Sequence, residues 1–125
     1  MPNFTPQQIV DLLHAADNDL ETVAKQFAWF KGQRDWWKDE YELHFAKAKA
    51  RHDSKYGGNE AATVAVSEEL IAVHWMDDVV ISLPEMVRLT EASFDVVDKR
   101  YKYLETHIMI LMSVNKNVMM DYGRA

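Results

Sequence analysis

The chain reads as all-α, a long-helix hairpin or helical bundle, on three observations. Apolar side chains recur at alternating steps of three and four over two long stretches, the spacing that places them on one helix face. Only four Gly and three Pro occur in 125 residues, which leaves room for long helices and little for a many-stranded sheet. Helix-start signals precede the apolar runs where helices should begin.

The first start is Thr5-Pro6-Gln7-Gln8. Thr5 suits the N-cap, Pro6 the first helical position, and Gln8 can close a capping box. Phe4 and Ile9 suit a hydrophobic staple, and Ile9, Leu12, Leu13 and Ala16 give a helix over 5–16. Asp17-Asn18-Asp19 then reads as an interruption, with Asn18 and Glu21 as a second cap. A long helix over 19–55 follows on Leu20, Val23, Phe27, Phe30, Trp37, Tyr41, His44 and Ala48, with Arg34 in the single polar slot. Gly32 inside it costs about 1 kcal/mol. Tyr56-Gly57-Gly58-Asn59 stops it, since paired glycines end helices. A third helix is expected over 61–80, from Leu70, Val73, His74 and Val80, with the β-prone Val79-Val80-Ile81 as an irregular join. Ser82-Leu83-Pro84-Glu85 reads as another capping box, opening a helix over 83–120.

That last helix carries Phe94, Val97, Tyr101, Leu104, Ile108, Leu111, Asn115 and Val118 at heptad-like spacing. So long a seam exceeds what a small domain must hide. A single polar residue on a seam can set register or oligomer state. Phe94, Val97, Tyr101, Leu104, Ile108, Leu111 and Asn115 are therefore the expected interface of a homo-oligomer.

Composition narrows the function. Apolar residues make up 48% and charged residues 27%, as in folded globular domains. There is no Cys, so no disulfide, thiolate zinc site or cysteine nucleophile exists. No apolar run approaches the roughly 20 residues that span a bilayer. The start Met1-Pro2-Asn3-Phe4 lacks the basic and apolar regions of a secretory signal. Residence in a cytoplasm, without membrane association, is expected. The net charge of −6 is uneven. Residues 31–56 carry seven bases against five acids, residues 57–98 one against nine, and residues 99–125 five against two.

No catalytic constellation emerges, so no enzyme activity and no cofactor is expected. Gly-rich phosphate loops, nucleophile elbows and a Ser/His/Asp order are missing from the sequence. Glu40 with His44 and His74 with Asp78 share helix faces at i,i+4, but neither pair has a nearby third ligand, so no metal site is expected. Asp17-Asn18-Asp19-Leu20-Glu21 looks like the start of a calcium loop, yet the required Gly is Thr22 and the twelfth position is Ala28. A helix–helix turn suits it better.

The richest signal lies in residues 31–56. Lys47, Arg51 and Lys55 stand at i, i+4 and i+8, with Lys49 among them. Lys31, Arg34 and Lys38 form a second basic group, and Trp36, Trp37, Tyr41 and Tyr56 are interleaved. Cationic heads neutralise phosphates while aromatic faces stack on unpaired bases. Lys31, Arg34, Lys38, Lys47, Lys49, Arg51, Lys55, Trp36 and Tyr56 are thus candidate contacts to single-stranded DNA. A charged stripe can equally do no more than solvate its helix. Two alternatives stand beside this reading. Asp19 to Phe27 looks like the first helix of a helix-turn-helix, although the turn Gly expected near Ala28 is absent and Arg34 fills an apolar position. The acidic stretch Glu60 to Asp98 suits a protein-interaction module, an adaptor or inhibitor docking on a basic partner.

The segment Tyr41 to Tyr56, with Ala46-Lys47-Ala48-Lys49-Ala50-Arg51 running into Gly57-Gly58, resembles the basic helix of UvsY-type recombination mediators from tailed phages. The late helix from Leu83, with Leu89 and Lys99-Arg100, is similar as well. The resemblance covers about two-thirds of the residues and implies a non-enzymatic oligomer that binds single-stranded DNA and helps load a recombinase. Lys47, Lys49, Arg51 and Lys55 match that family in character. The acidic balance and the Trp-rich first half depart from it.

Overall fold

In the computed structural model, residues 4–73 and 80–123 are described. They form three helices, α1 (Pro6–Tyr56), α2 (Glu60–Ala72) and α3 (Leu83–Gly123), and no strand is formed among them. The all-α expectation is met.

The capping box that starts α1 is made in both directions. The Thr5 backbone N–H donates to Gln8 Oε1 at 2.9 Å and the Gln8 N–H donates to Thr5 Oγ1 at 3.2 Å. The break expected at Asp17-Asn18-Asp19 does not occur, and one helix of 51 residues replaces the two over 5–16 and 19–55. The reason is geometric. Ala16 is buried and Leu20 half-buried, and the three polar residues between them all point outward. The seam passes 9, 13, 16, 20 and 23 without a phase jump. Capping residues lower helix propensity by only tenths of a kcal/mol, less than the 1.5–3 kcal/mol of one buried Val or Ile. Asn18 caps nothing, and its carbonyl accepts from Thr22 Oγ1 at 3.2 Å. A calcium loop and a helix–helix turn are both ruled out there. So is the helix-turn-helix, because no turn follows Phe27.

Gly57 (φ 74) and Gly58 (φ 71) end α1 in the left-handed region, which costs a glycine almost nothing. Asn59 then caps α2, its side chain accepting from the Ala62 N–H. The helix expected over 61–80 ends earlier. Val73 turns extended, and its carbonyl accepts from the Leu83 N–H at 3.2 Å. Val80 and Ile81 are neither helix nor strand. The His74–Asp78 pair lies outside the described residues. Helix α3 begins as expected at Leu83, with the Met86 N–H donating to the Ser82 carbonyl at 3.0 Å.

The residues divide into two units. In the first, residues up to Trp29 associate with residues from Asp95 onward, so the two helical stretches run antiparallel. Ile9, Ala16 and Val23 are buried with Val97, Leu104 and Leu111, and the Phe27 and Tyr101 rings meet at 5.2 Å. In the second unit, Phe30 to Phe94, a core forms from Trp37 and Ala48 of α1, Val66 and Leu70 of α2, and Leu83 and Met86 of α3. Tyr41, Val73, Ile81 and Val87 pack around it.

This arrangement corrects the expected oligomer interface. Phe94, Val97, Leu104 and Leu111 are 7–8% exposed, and Tyr101, Ile108 and Asn115 are half-buried, all within one chain. Two heptad seams in one chain cover each other without the translational entropy cost of recruiting a second molecule.

Candidate nucleic-acid interface

At 100° per residue Lys47, Arg51 and Lys55 keep to one side of α1 within about 80°, all three exposed, but a tighter row lies elsewhere on the helix. At 100° per residue, Lys31, Lys38, Phe45, Lys49 and Tyr56 fall within about 40° of one another, while Trp36 and Lys47 lie on the opposite side. Lys31, Lys38, Phe45, Lys49 and Tyr56 are all exposed and all belong to the second unit. Phe45, 40% exposed, was missed from sequence. Its spacing of seven from Lys38 and four from Lys49 would have revealed it.

The two arginines are already engaged. The Arg34 guanidinium bonds the Asp35 carboxylate at 3.0–3.1 Å and lies 4.0 Å over the Phe94 ring. It occupies the polar slot of the seam by covering an aromatic face with its planar head. Arg51 donates to Glu69 Oε1, and His52 Nε2 stands 2.9 Å from Glu69 Oε2. One carboxylate of α2 is thus gripped by two side chains of α1. The hydrogen bond from Arg51 is the main reason the Glu69 carboxyl is held below its usual range, with His52 adding to it against partial desolvation.

At the end of α1 a small aromatic and cationic cluster remains open. The Lys55 ammonium is 5.2 Å from the Tyr56 ring centre, and the His52 ring stacks on Tyr56 at 6.1 Å and 17°. A shallow groove lined by Phe45, Lys49, Asp53, Thr63, Val66 and Ser67 runs between α1 and α2. Glu42, seven residues before Lys49, shares the lysine face and lowers its charge. Trp37 is buried in the core and meets the exposed Trp36 edge-on at 4.6 Å. The arrangement can neutralise phosphates at several points and offer Phe45 and Tyr56 to unstacked bases.

Among the described residues no three His, Asp or Glu converge to hold a metal ion. His44 Nε2 lies 3.7 Å from Glu40 Oε2. No described helix is long and apolar enough to cross a membrane. A second surface lies on α2. Ala62, Val66 and Leu70 face the core, yet Val64 and Ile71 on the outer side are also apolar and exposed. Tyr56, Glu60, Ala61, Val64, Ala65 and Glu68 line an open groove there, apolar in its floor and acidic at its rim. No protein-family model matches the chain, and no curated protein or solved structure is significantly similar to it.

Proposed function

We propose that the protein is a non-enzymatic accessory factor that binds single-stranded DNA along one face of α1 in its second unit. The carrying observation is the row Lys31, Lys38, Phe45, Lys49 and Tyr56, five exposed cationic or aromatic side chains on a single face. Each lysine neutralises a phosphate and releases counterions. Phe45 and Tyr56 stack on bases, a contact worth about 1–3 kcal/mol per base and indifferent to sequence. The resemblance to phage recombination mediators, of whose matched basic residues only Lys49 lies on this face, would make a recombinase the protein partner. Equilibrium binding to a labelled oligonucleotide tests it. Single strands should bind more tightly than duplex of equal length, and Tyr56→Ala with Phe45→Ala should remove most of that preference. No binding at low salt would refute the proposal.

A second reading, an adaptor for a basic amphipathic partner, rests on α2. A helix apolar on both sides usually has both sides covered, and Glu60 and Glu68 would meet the partner's cations. A basic amphipathic peptide should then bind and Val64→Glu should abolish binding. An acidic peptide of equal hydrophobicity should fail to bind.

A further inference from the structure

A cavity of about 270 Å³ lies within the second unit, against the start of α3. Tyr41 and Phe45 of α1 and Leu70 and Ile71 of α2 make its apolar walls, and Ser82, Glu85 and Arg88 supply polar ones. Ser82 to Glu85 repeats the pattern of Thr5 to Gln8, a hydroxyl residue followed three later by a carboxyl or amide one. The Thr5 box closes in both directions. The Ser82 box does not form. The Leu83 N–H donates to the Val73 carbonyl, Pro84 has no N–H, and the Met86 N–H donates to the Ser82 carbonyl. The Glu85 N–H and the Ser82 hydroxyl are left without a partner among the described residues, although Ser82 is only 8% exposed. A serine that precedes a helix ordinarily caps it, and a polar group so deeply placed normally has a partner. Here the hydroxyl, the open N–H and the positive end of the α3 dipole meet at one cavity. Arg88, one turn further on, is exposed and forms no ion pair among the described residues, and neither does Glu85.

We propose that this cavity binds a free α-amino acid with an apolar side chain. Its carboxylate is held at the N-terminus of α3 by the Ser82 hydroxyl, the Glu85 N–H and the Arg88 guanidinium, donors suited to two anionic oxygens. Its ammonium meets the Glu85 carboxylate. Its side chain lies against Tyr41 and Leu70, as in other ligand sites where apolar walls carry a few placed polar groups. Charge selects the zwitterion. A phosphate or a plain carboxylate would meet Glu85 as a like charge. An amine alone would leave the Ser82 and Arg88 donors without an acceptor. Size admits an aromatic side chain, because the cavity of about 270 Å³ exceeds the roughly 150 Å³ that accepts a benzene molecule.

Titration calorimetry of the full chain with L-phenylalanine tests the assignment. Phenylalaninamide and 3-phenylpropanoate, each lacking one of the two charges, should bind at least about tenfold more weakly, the loss of one charged hydrogen bond. Ser82→Ala should weaken phenylalanine about tenfold without lowering the melting temperature, since the hydroxyl caps nothing. Arg88→Gln should weaken it at least as much. Glu85→Gln should shrink the gap between phenylalanine and 3-phenylpropanoate, because it removes the group that reads the ammonium. Ser82, Glu85 and Arg88 lie outside the proposed DNA face, which shares only Phe45 with the cavity, so either reading can fail without the other. No binding at millimolar phenylalanine, or wild-type affinity in both Ser82→Ala and Arg88→Gln, would overturn the proposal. Equal affinity for 3-phenylpropanoate and phenylalanine would overturn the choice of an amino acid. A melting temperature that falls as far in Ser82→Ala as in Thr5→Ala would show that the hydroxyl caps α3 and does not serve a ligand.

Discussion

The two units handle the same problem, a polar residue on a heptad seam, in opposite ways. In the second unit Arg34 interrupts the seam of α1, and its long side chain reaches both Asp35 and the Phe94 face. In the first unit Asn115 interrupts the seam of α3, and its buried Oδ1 accepts no hydrogen bond from the described residues. Reach makes the difference. A guanidinium on a flexible stem can leave a seam while its methylenes stay in it, whereas a short amide remains where its Cβ puts it. The second unit is also tied across its helices by Glu69, held by Arg51 and His52. No ion pair joins α1 to α3 among the described residues of the first unit, where Lys25–Glu21 and Lys102–Asp98 each stay within one helix. One unit is locked by specific polar contacts, the other by a periodic apolar seam.

The largest expected effect lies in the core of the second unit. Trp37→Ala should cost about 3–5 kcal/mol in chemical denaturation, as for other buried aromatics. Trp36→Ala, at an exposed neighbour, should cost under about 1 kcal/mol. Equal losses would show that the register of α1 is wrong.

The next effect has the opposite sign and belongs to the first unit. Asn115→Leu should raise stability by about 1 kcal/mol, since an unpaired buried acceptor is replaced by apolar packing. The matching change Arg34→Leu should not stabilise, because it discards contacts already made. A stabilised Arg34→Leu would erase the distinction between the units.

The smallest effect is a pH dependence. The carboxyl of Glu69 is lowered from 4.5 in the folded chain. Its contribution is therefore present above that value and is lost as pH falls through the lower, folded one. Glu69→Gln should lower the melting temperature at neutral pH. The gap from wild type should close as the solution is acidified below 4.5. A gap that stays constant across that range would mean the carboxylate is not gripped as described.

Much of this was legible in the sequence because it is local. The Thr5–Gln8 box, the Gly57–Gly58 stop and both seams depend on residues within a few positions of each other, and they appear where the spacing puts them. Asp17 to Asp19 misled because three capping residues look like an end when seen alone. Only the seam on either side shows that they fill one outward turn. The heptad from Phe94 to Asn115 shows that α3 needs a helical partner, but spacing cannot say whether that partner belongs to the same chain. The fate of Arg51 depends on Glu69, 18 residues later, and no local pattern reports it. Phe45 was passed over because an exposed ring next to seam residues looks like core until its angle is worked out.

The proposed DNA contact rests on phosphates meeting the Lys31, Lys38 and Lys49 face. Affinity for a labelled single strand should be measured across a salt series. Each contact contributes roughly 0.7 to the slope of log affinity against log salt. Changing those three lysines to Glu should flatten the slope by about two units, at 0.7 per contact, while the circular dichroism stays helical. Lys47→Glu, on the opposite side of α1, should leave the slope as it was. An unchanged slope in the triple variant, or an equal loss per charge from Lys47→Glu, would contradict the assignment of this face.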